Sequence, residues 1–169
     1  ETPSSNLLNV EIPFSAFYQG NSRATGSSGS DTLYKINKEG NLYPSLAKDL
    51  PIVSKNGLLI DIPLKENISF HDGSIFNAEA MAFSLNRFRE IGTLNYLLND
   101  KIEDIEVKDE FLIRIKLKKP SSSLKSLLTS INLTPVSPNS YASYKDKFNN
   151  KGFIGTGPYL LENFSPNQQ

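Results

Sequence analysis

From Phe111 to Lys118 the chain alternates. Phe111, Ile113, Ile115 and Leu117 take every second place, and Leu112, Arg114, Lys116 and Lys118 stand between them. Successive side chains on a strand point to opposite faces, so this run predicts a strand with one dry face and one wet face. The apolar residues of Ile102–Val107 precede it across a short polar break, and the two runs read as a hairpin. Glu103, Asp104 and Glu106 are the natural partners for its bases, as cross-strand pairs on a solvated sheet surface. A second hairpin is written around Lys55-Asn56-Gly57, between Ile52-Val53 and Leu58–Leu64. Pro63 lacks an N–H and therefore marks an edge or a strand end. Shorter strands are expected at Leu8–Ile12, Leu33–Ile36 and Leu160-Leu161, with a turn at Lys38–Asn41.

One segment has the other period. Ala78, Met81, Leu85 and Phe88 recur at three and four residues and predict a helix over Asn77–Ile91. Asn77 can cap its free N–H groups, Glu79 suits the positive end of its dipole, and Gly92 ends it. At that spacing Met81 and Phe88 are core residues. Shorter helical pieces are expected at Asn95–Leu98, after the capping serines Ser121-Ser122-Ser123 with Leu124, Leu127 and Leu128, and at Asn139–Tyr144. Pro135 and Pro138 make Asn132–Pro138 extended, and Asn149–Gly152 is a loop. Gly20–Ser30 is small and polar throughout, either a native loop or, at Gly26–Ser30, an introduced linker. Hairpins with helices set between them give an α+β fold, a mainly antiparallel sheet with packed helices.

Eighteen basic and eighteen acidic side chains cancel, with no basic cluster to neutralise phosphates, so nucleic acid is excluded as a partner. No apolar run approaches the roughly twenty residues a membrane-spanning helix needs. Glu1–Val10 has no basic region followed by an apolar one, as a leader would. Cysteine is absent, which removes disulfides, thiolate metal sites and thiol nucleophiles.

The chemistry-bearing motifs are thin. His71 is the only histidine. With a serine and an aspartate it allows a hydrolase on paper, but its place before Asp72-Gly73 suits a turn residue better. No second imidazole stands by for a metal. Gly155-Thr156-Gly157 lacks the third glycine of a dinucleotide site, and Pro158 blocks the helix that would follow. No phosphate-binding lysine motif occurs, and no carboxylate pair stands out for glycosidic chemistry. Asn67, Asn132 and Asn163 head glycosylation-like triplets at a frequency near chance in so Asn- and Ser-rich a chain. Residue chemistry alone gives an α+β domain with no visible active site and no cofactor.

Longer words in the sequence say more. Gly40-Asn41-Leu42-Tyr43-Pro44-Ser45-Leu46-Ala47 is followed by the hairpin at Asn56-Gly57, then Ile62-Pro63-Leu64-Lys65 and Phe70-His71-Asp72-Gly73. Phe76-Asn77-Ala78-Glu79, Ala82-Phe83-Ser84-Leu85, Lys118-Lys119-Pro120 and Gly155-Thr156-Gly157-Pro158-Tyr159 come after, in that order. The ordered set, spread over Leu33–Phe164, resembles the solute-binding proteins of peptide and nickel ABC importers. Two departures stand out. Ala80 sits where members often carry Asp, and Gly26–Ser30 replaces an apolar piece.

The resemblance implies part of the first lobe of a periplasmic-binding-protein-like clamshell that closes on a solute and delivers it to a membrane permease. Residues 1–42 would begin the first lobe, 43–150 would form the subdomain this family adds, and 151–169 would return to the lobe, with the second lobe absent. It implies a peptide solute, an ABC permease as partner, a monomer, and a periplasmic or extracytoplasmic place with membrane anchoring left open. Nickel chelates and other solutes remain alternatives. Gly57, Phe70, Asp72, Gly73, Gly155, Gly157 and Pro158 take structural roles. Gly57 and Gly73 permit turns, Phe70 and Phe76 pack under the helix, and Gly155 and Gly157 allow close backbone approach. The ligand candidates are Tyr18, Gln19, Asn21, Arg23 and Thr156, with Tyr18 able to stack on a solute and Arg23 able to pair with a carboxylate. Two other classes stay open: a protein-interaction module on the same fold, and the hydrolase built on His71.

Overall fold

The computed structural model describes residues 31–156, apart from 93, 131–132 and 145–154. The strand expected at Leu8–Ile12, the Gly20–Ser30 stretch, the loop at Asn149–Gly152 and the strand at Leu160-Leu161 lie outside the described residues.

Two antiparallel sheets and one long helix organise what is described. Strands β1 (Tyr34–Ile36) and β2 (Leu42–Pro44) pair in a two-stranded sheet. Strands β3 (Ile52–Val53), β4 (Leu59–Pro63), β5 (Ile102–Asp109) and β6 (Leu112–Leu117) make a four-stranded sheet in the order β3-β4-β6-β5. Both hairpins read from the sequence are present, and β6 joins them by lying against β4, with Ile60 opposite Ile115 and Asp61 opposite Arg114. The pairing β4–β6 is the long-range one, and neither hairpin predicts it alone.

The alternation in β6 behaves as its period requires. Ile113, Ile115 and Leu117 are buried, and the intervening side chains are not. Pro63 proves to be a strand end rather than an edge. It is the last residue of β4, opposite Leu112, in a strand flanked on both sides, so its missing N–H falls where the ladder stops. The charges pair partly as the hairpin suggests and partly across the other neighbour. Lys116 reaches Glu106 on β5, but Arg114 turns to Asp61 on β4.

Helix α1 (Ala78–Ile91) packs across β5 and β6. Its stripe of Ala78, Met81, Leu85 and Phe88 is buried, and it shares one core with Ile60, Ile62, Ile102, Ile113 and Ile115. Fully burying a side chain of that size contributes about 1.5–3 kcal/mol each, before the cost of ordering the chain. The start of the helix is fixed twice. Asn77 Oδ1 accepts from Ala80 N at 3.0 Å, and Ala78 N donates to Glu110 O in the β5–β6 turn at 2.8 Å. Gly92 ends the helix, but not through a left-handed backbone: its φ is −66°. The reason for glycine is proximity, since a Cβ there would stand 2.5 Å from Phe88 O.

Three short helices complete the set: α2 (Tyr96–Asn99), α3 (Ser123–Leu127) and α4 (Pro138–Tyr144). Ser122 occupies the cap position of α3 but makes no side-chain cap bond, so the expected serine capping is positional only. Pro138 is the first residue of α4 instead of the last of an extended run, where its fixed φ and missing N–H cost nothing. The buried run Leu133–Ser137 ahead of it lies on α1, held by Val136 N donating to Ser84 Oγ at 3.0 Å. No helix among the described residues is long and apolar enough to cross a membrane.

Candidate functional site

The Phe70–Ser74 turn is where distant parts of the chain meet. Phe70 and Phe76 flank it, both buried, with ring centroids 6.0 Å apart and planes at 73°. Between them Phe70 N donates to Ser74 O at 2.8 Å and Gly73 N to Phe70 O at 2.9 Å. Closing the loop so tightly puts Gly73 at φ +81°, in the left-handed region where a Cβ is opposed.

The turn projects Asp72 outward, and its carboxylate is fully engaged. Oδ1 accepts from Ser74 N at 3.0 Å and Ser74 Oγ at 2.5 Å, while Oδ2 accepts from Ser137 Oγ. Ser137 Oγ in turn accepts from Ser140 N at 3.2 Å, capping α4. Partial burial pushes the Asp72 carboxyl upward, but the bonds from Ser137 and Ser74 outweigh it and leave its pKa below the usual value. On the other side of the turn His71 N donates to Gly155 O at 3.1 Å. One five-residue turn therefore holds its own loop, the start of α4 and the returning chain at Gly155.

This wiring does not make a nucleophile. A catalytic serine gives its proton to an imidazole, which the carboxylate orients from behind. Here Ser137 gives its proton to the carboxylate itself. Among the described residues no three metal-ligating side chains come together.

Beside the returning chain lies an open polar cleft of about 430 Å³, lined by Lys35, Tyr43, Ser45, Lys65, Ile68 and Thr156 among others. Lys35 Nζ is paired with Asp31 Oδ1 at 2.9 Å. Tyr43 is 42% exposed, and Lys65 is exposed at the rim. Thr156 is the sequence candidate that reaches this cleft. Its Oγ1 is buried without a hydrogen-bond partner, so in this arrangement the hydroxyl is closed off from a solute beside it.

The structure thus gathers Phe70, Asp72, Gly73, Gly155 and Thr156 into one neighbourhood. Gly57 lies elsewhere, in the β3–β4 turn, where its backbone comes so close to Pro120 that a Cβ would meet Pro120 Cβ at 3.2 Å. Tyr18, Gln19, Asn21, Arg23, Gly157 and Pro158 lie outside the described residues. Sequence reading missed Ser74 and Ser137 as the partners of Asp72, and Lys35, Tyr43, Ser45 and Lys65 as cleft residues. Ser137-Pro138 carried a signal, since a serine before proline is a common helix start. The cleft lysines carried none.

Comparison with known proteins agrees with this architecture. The family model described as bacterial extracellular solute-binding proteins, family 5, middle region, matches residues 41–169. The glutathione-binding protein GsiB of Escherichia coli O1:K1 is 32% identical over 148 residues, which is 85% of this chain and 28% of that protein. Among solved structures, Listeria monocytogenes OppA bound to peptide superposes with a TM-score of 0.73 at 20% identity, covering 81% of this chain and 31% of that one. NikZ from Campylobacter jejuni in complex with Ni(L-His) gives 0.69 at 26% identity, covering 82% and 28%. The chain therefore spans under a third of the length of each of these proteins.

Proposed function

Because the chain belongs to the family 5 bacterial extracellular solute-binding proteins, we propose that it is the first-lobe portion of a binding protein that hands a peptide-type solute to an ABC permease. The observation that carries this is the family match over residues 41–169, supported by the superposition on NikZ in complex with Ni(L-His) and, for the fold, on OppA. Binding, not catalysis, is the work of such a protein.

On this reading residues 1–42 and 151–169 belong to the lobe proper, and 43–150 form an added subdomain joined to it by the β1–β2 pairing and at the Phe70–Ser74 turn. The mechanism is a hinge equilibrium between open and closed lobes. A solute that touches both lobes binds the closed form better and shifts the population toward it. A single lobe offers half of those contacts, so the chain alone holds solute too weakly to retain it, or not at all. Tyr18, Gln19, Asn21, Arg23 and the Thr156 segment form this lobe's share of the cleft. The solute we favour is a short peptide, because the glutathione-binding relatives match at 32% identity and glutathione is itself a tripeptide. The family's description as extracellular supports action outside the cytoplasm.

Calorimetric titration of the complete protein tests this, with glutathione, a mixture of short peptides and a nickel–histidine complex run in parallel. Saturable binding of glutathione or a peptide supports the proposal. Binding of the nickel complex alone moves the solute class, and failure of all three overturns the importer role.

A further inference from the structure

Asn56-Gly57 is the only Asn-Gly pair in the chain, and it sits exposed at the tip of the β3–β4 hairpin. An asparagine followed by glycine is chemically vulnerable, because no side chain shields the next backbone nitrogen. That nitrogen, having lost its proton to solvent base, attacks the asparagine Cγ. An N–Cγ bond forms and the side-chain nitrogen leaves as ammonia. Water then opens the cyclic imide at either carbonyl, giving aspartate or isoaspartate. The geometry at this tip opposes each requirement. The attacking nitrogen, Gly57 N, donates to Ser54 O at 2.8 Å. The Asn56 side chain is held by its oxygen, which accepts from Ser54 Oγ at 2.6 Å and from Leu58 N at 3.1 Å. Ser54 Oγ is itself tied into the outgoing strand, accepting from Leu59 N at 3.0 Å.

We propose that Asn56 is a deamidation site gated by this hairpin, with the Ser54 side chain as its latch. The chemistry runs when the tip opens and stops while it is closed. The tip belongs to a short, weakly anchored edge: β3 has two residues, and Ile52 and Val53 are exposed. Opening there is local and needs no global unfolding. Isoaspartate would add a backbone carbon between residues 56 and 57. The tip has little room for it, since even a Cβ on Gly57 would meet Pro120 Cβ at 3.2 Å.

The test is to incubate the chain at mildly alkaline pH and count aspartate and isoaspartate at residue 56 by peptide mapping. The free peptide of residues 50–62, Ser54→Ala and Ser54→Thr run beside it. The folded chain should react at least about tenfold more slowly than the peptide. Losing the latch bond in Ser54→Ala should raise its rate about two- to tenfold, and Ser54→Thr, which keeps the hydroxyl, should stay near the parent. A folded chain that reacts as fast as the peptide overturns the gate. A folded Ser54→Ala chain that reacts no faster than the parent overturns the latch, and circular dichroism of each variant reports its folding.

Discussion

Ser137 donates its hydroxyl proton to Asp72, sixty-five residues away in the chain, and by that bond the start of α4 is fixed to the Phe70–Ser74 turn. The same turn holds Gly155 through the His71 N–H. The junction joins the helical part of the fold to the returning chain, and the first prediction concerns its strength. Ser137→Ala should lower unfolding free energy by about 1–2 kcal/mol, as expected for a hydrogen bond to a charged group at a partly exposed site, and Asp72→Ala should cost more, because it also gives up both Ser74 bonds. The double variant should lose less than the sum, by about 1 kcal/mol of coupling. Urea unfolding of the four chains measures this, and strict additivity would mean that the two side chains do not share a bond.

Asp61 and Arg114 meet across β4 and β6 in a two-pronged pair, Oδ1 to Nε at 2.6 Å and Oδ2 to Nη2 at 2.7 Å. The Arg114 hydrogen bonds lower the Asp61 pKa from its ordinary 3.8, more than burial raises it. A carboxyl whose native pKa is depressed favours folding at every pH above its unfolded value. That contribution disappears as pH falls through the lowered native value. Asp61→Asn should therefore be less stable than the parent at neutral pH, with the gap closing as pH falls below 3.8. Thermal melts along a pH series give the curve. A gap that is constant with pH would show that the charge of Asp61 is irrelevant.

The third prediction concerns α1. Leu85 is completely buried in the shared core, and Leu85→Ala should cost about 2–5 kcal/mol through lost contacts and a residual cavity. Asn77→Ala removes the cap bond and should cost about 1 kcal/mol. Gly92→Ala should also destabilise, by about 1–3 kcal/mol, although its backbone angles suit any residue, because the new Cβ runs into Phe88 O. A neutral Gly92→Ala would mean that the chain after the helix shifts freely.

Local patterns were legible where one element alone decides the outcome. The period of two in Phe111–Leu117, the stripe from Ala78 to Phe88 and the Asn56-Gly57 turn each specify their element without help from the rest of the chain. Pairings between elements were not legible. That β6 lies between β4 and β5, so that Arg114 finds Asp61 rather than the acids of its own hairpin, depends on how the two hairpins stack. Pro138 read as a breaker because a proline in isolation resists a helix. Ser137 ahead of it, accepting from Ser140 N, turns it into a helix start. The site divides the same way. Phe70-His71-Asp72-Gly73 was visible as a word, but Ser137, Lys35 and Lys65 come to its neighbourhood only through folding.

The central claim is that this chain is one wall of a two-walled solute site, and native mass spectrometry tests it most directly. The complete protein, as purified, is sprayed beside the 169-residue chain, each alone and with glutathione and short peptides added. The account predicts a bound peptide-sized mass on the complete protein and none on the chain alone. A complete protein that carries no solute and gains none from either addition would contradict it.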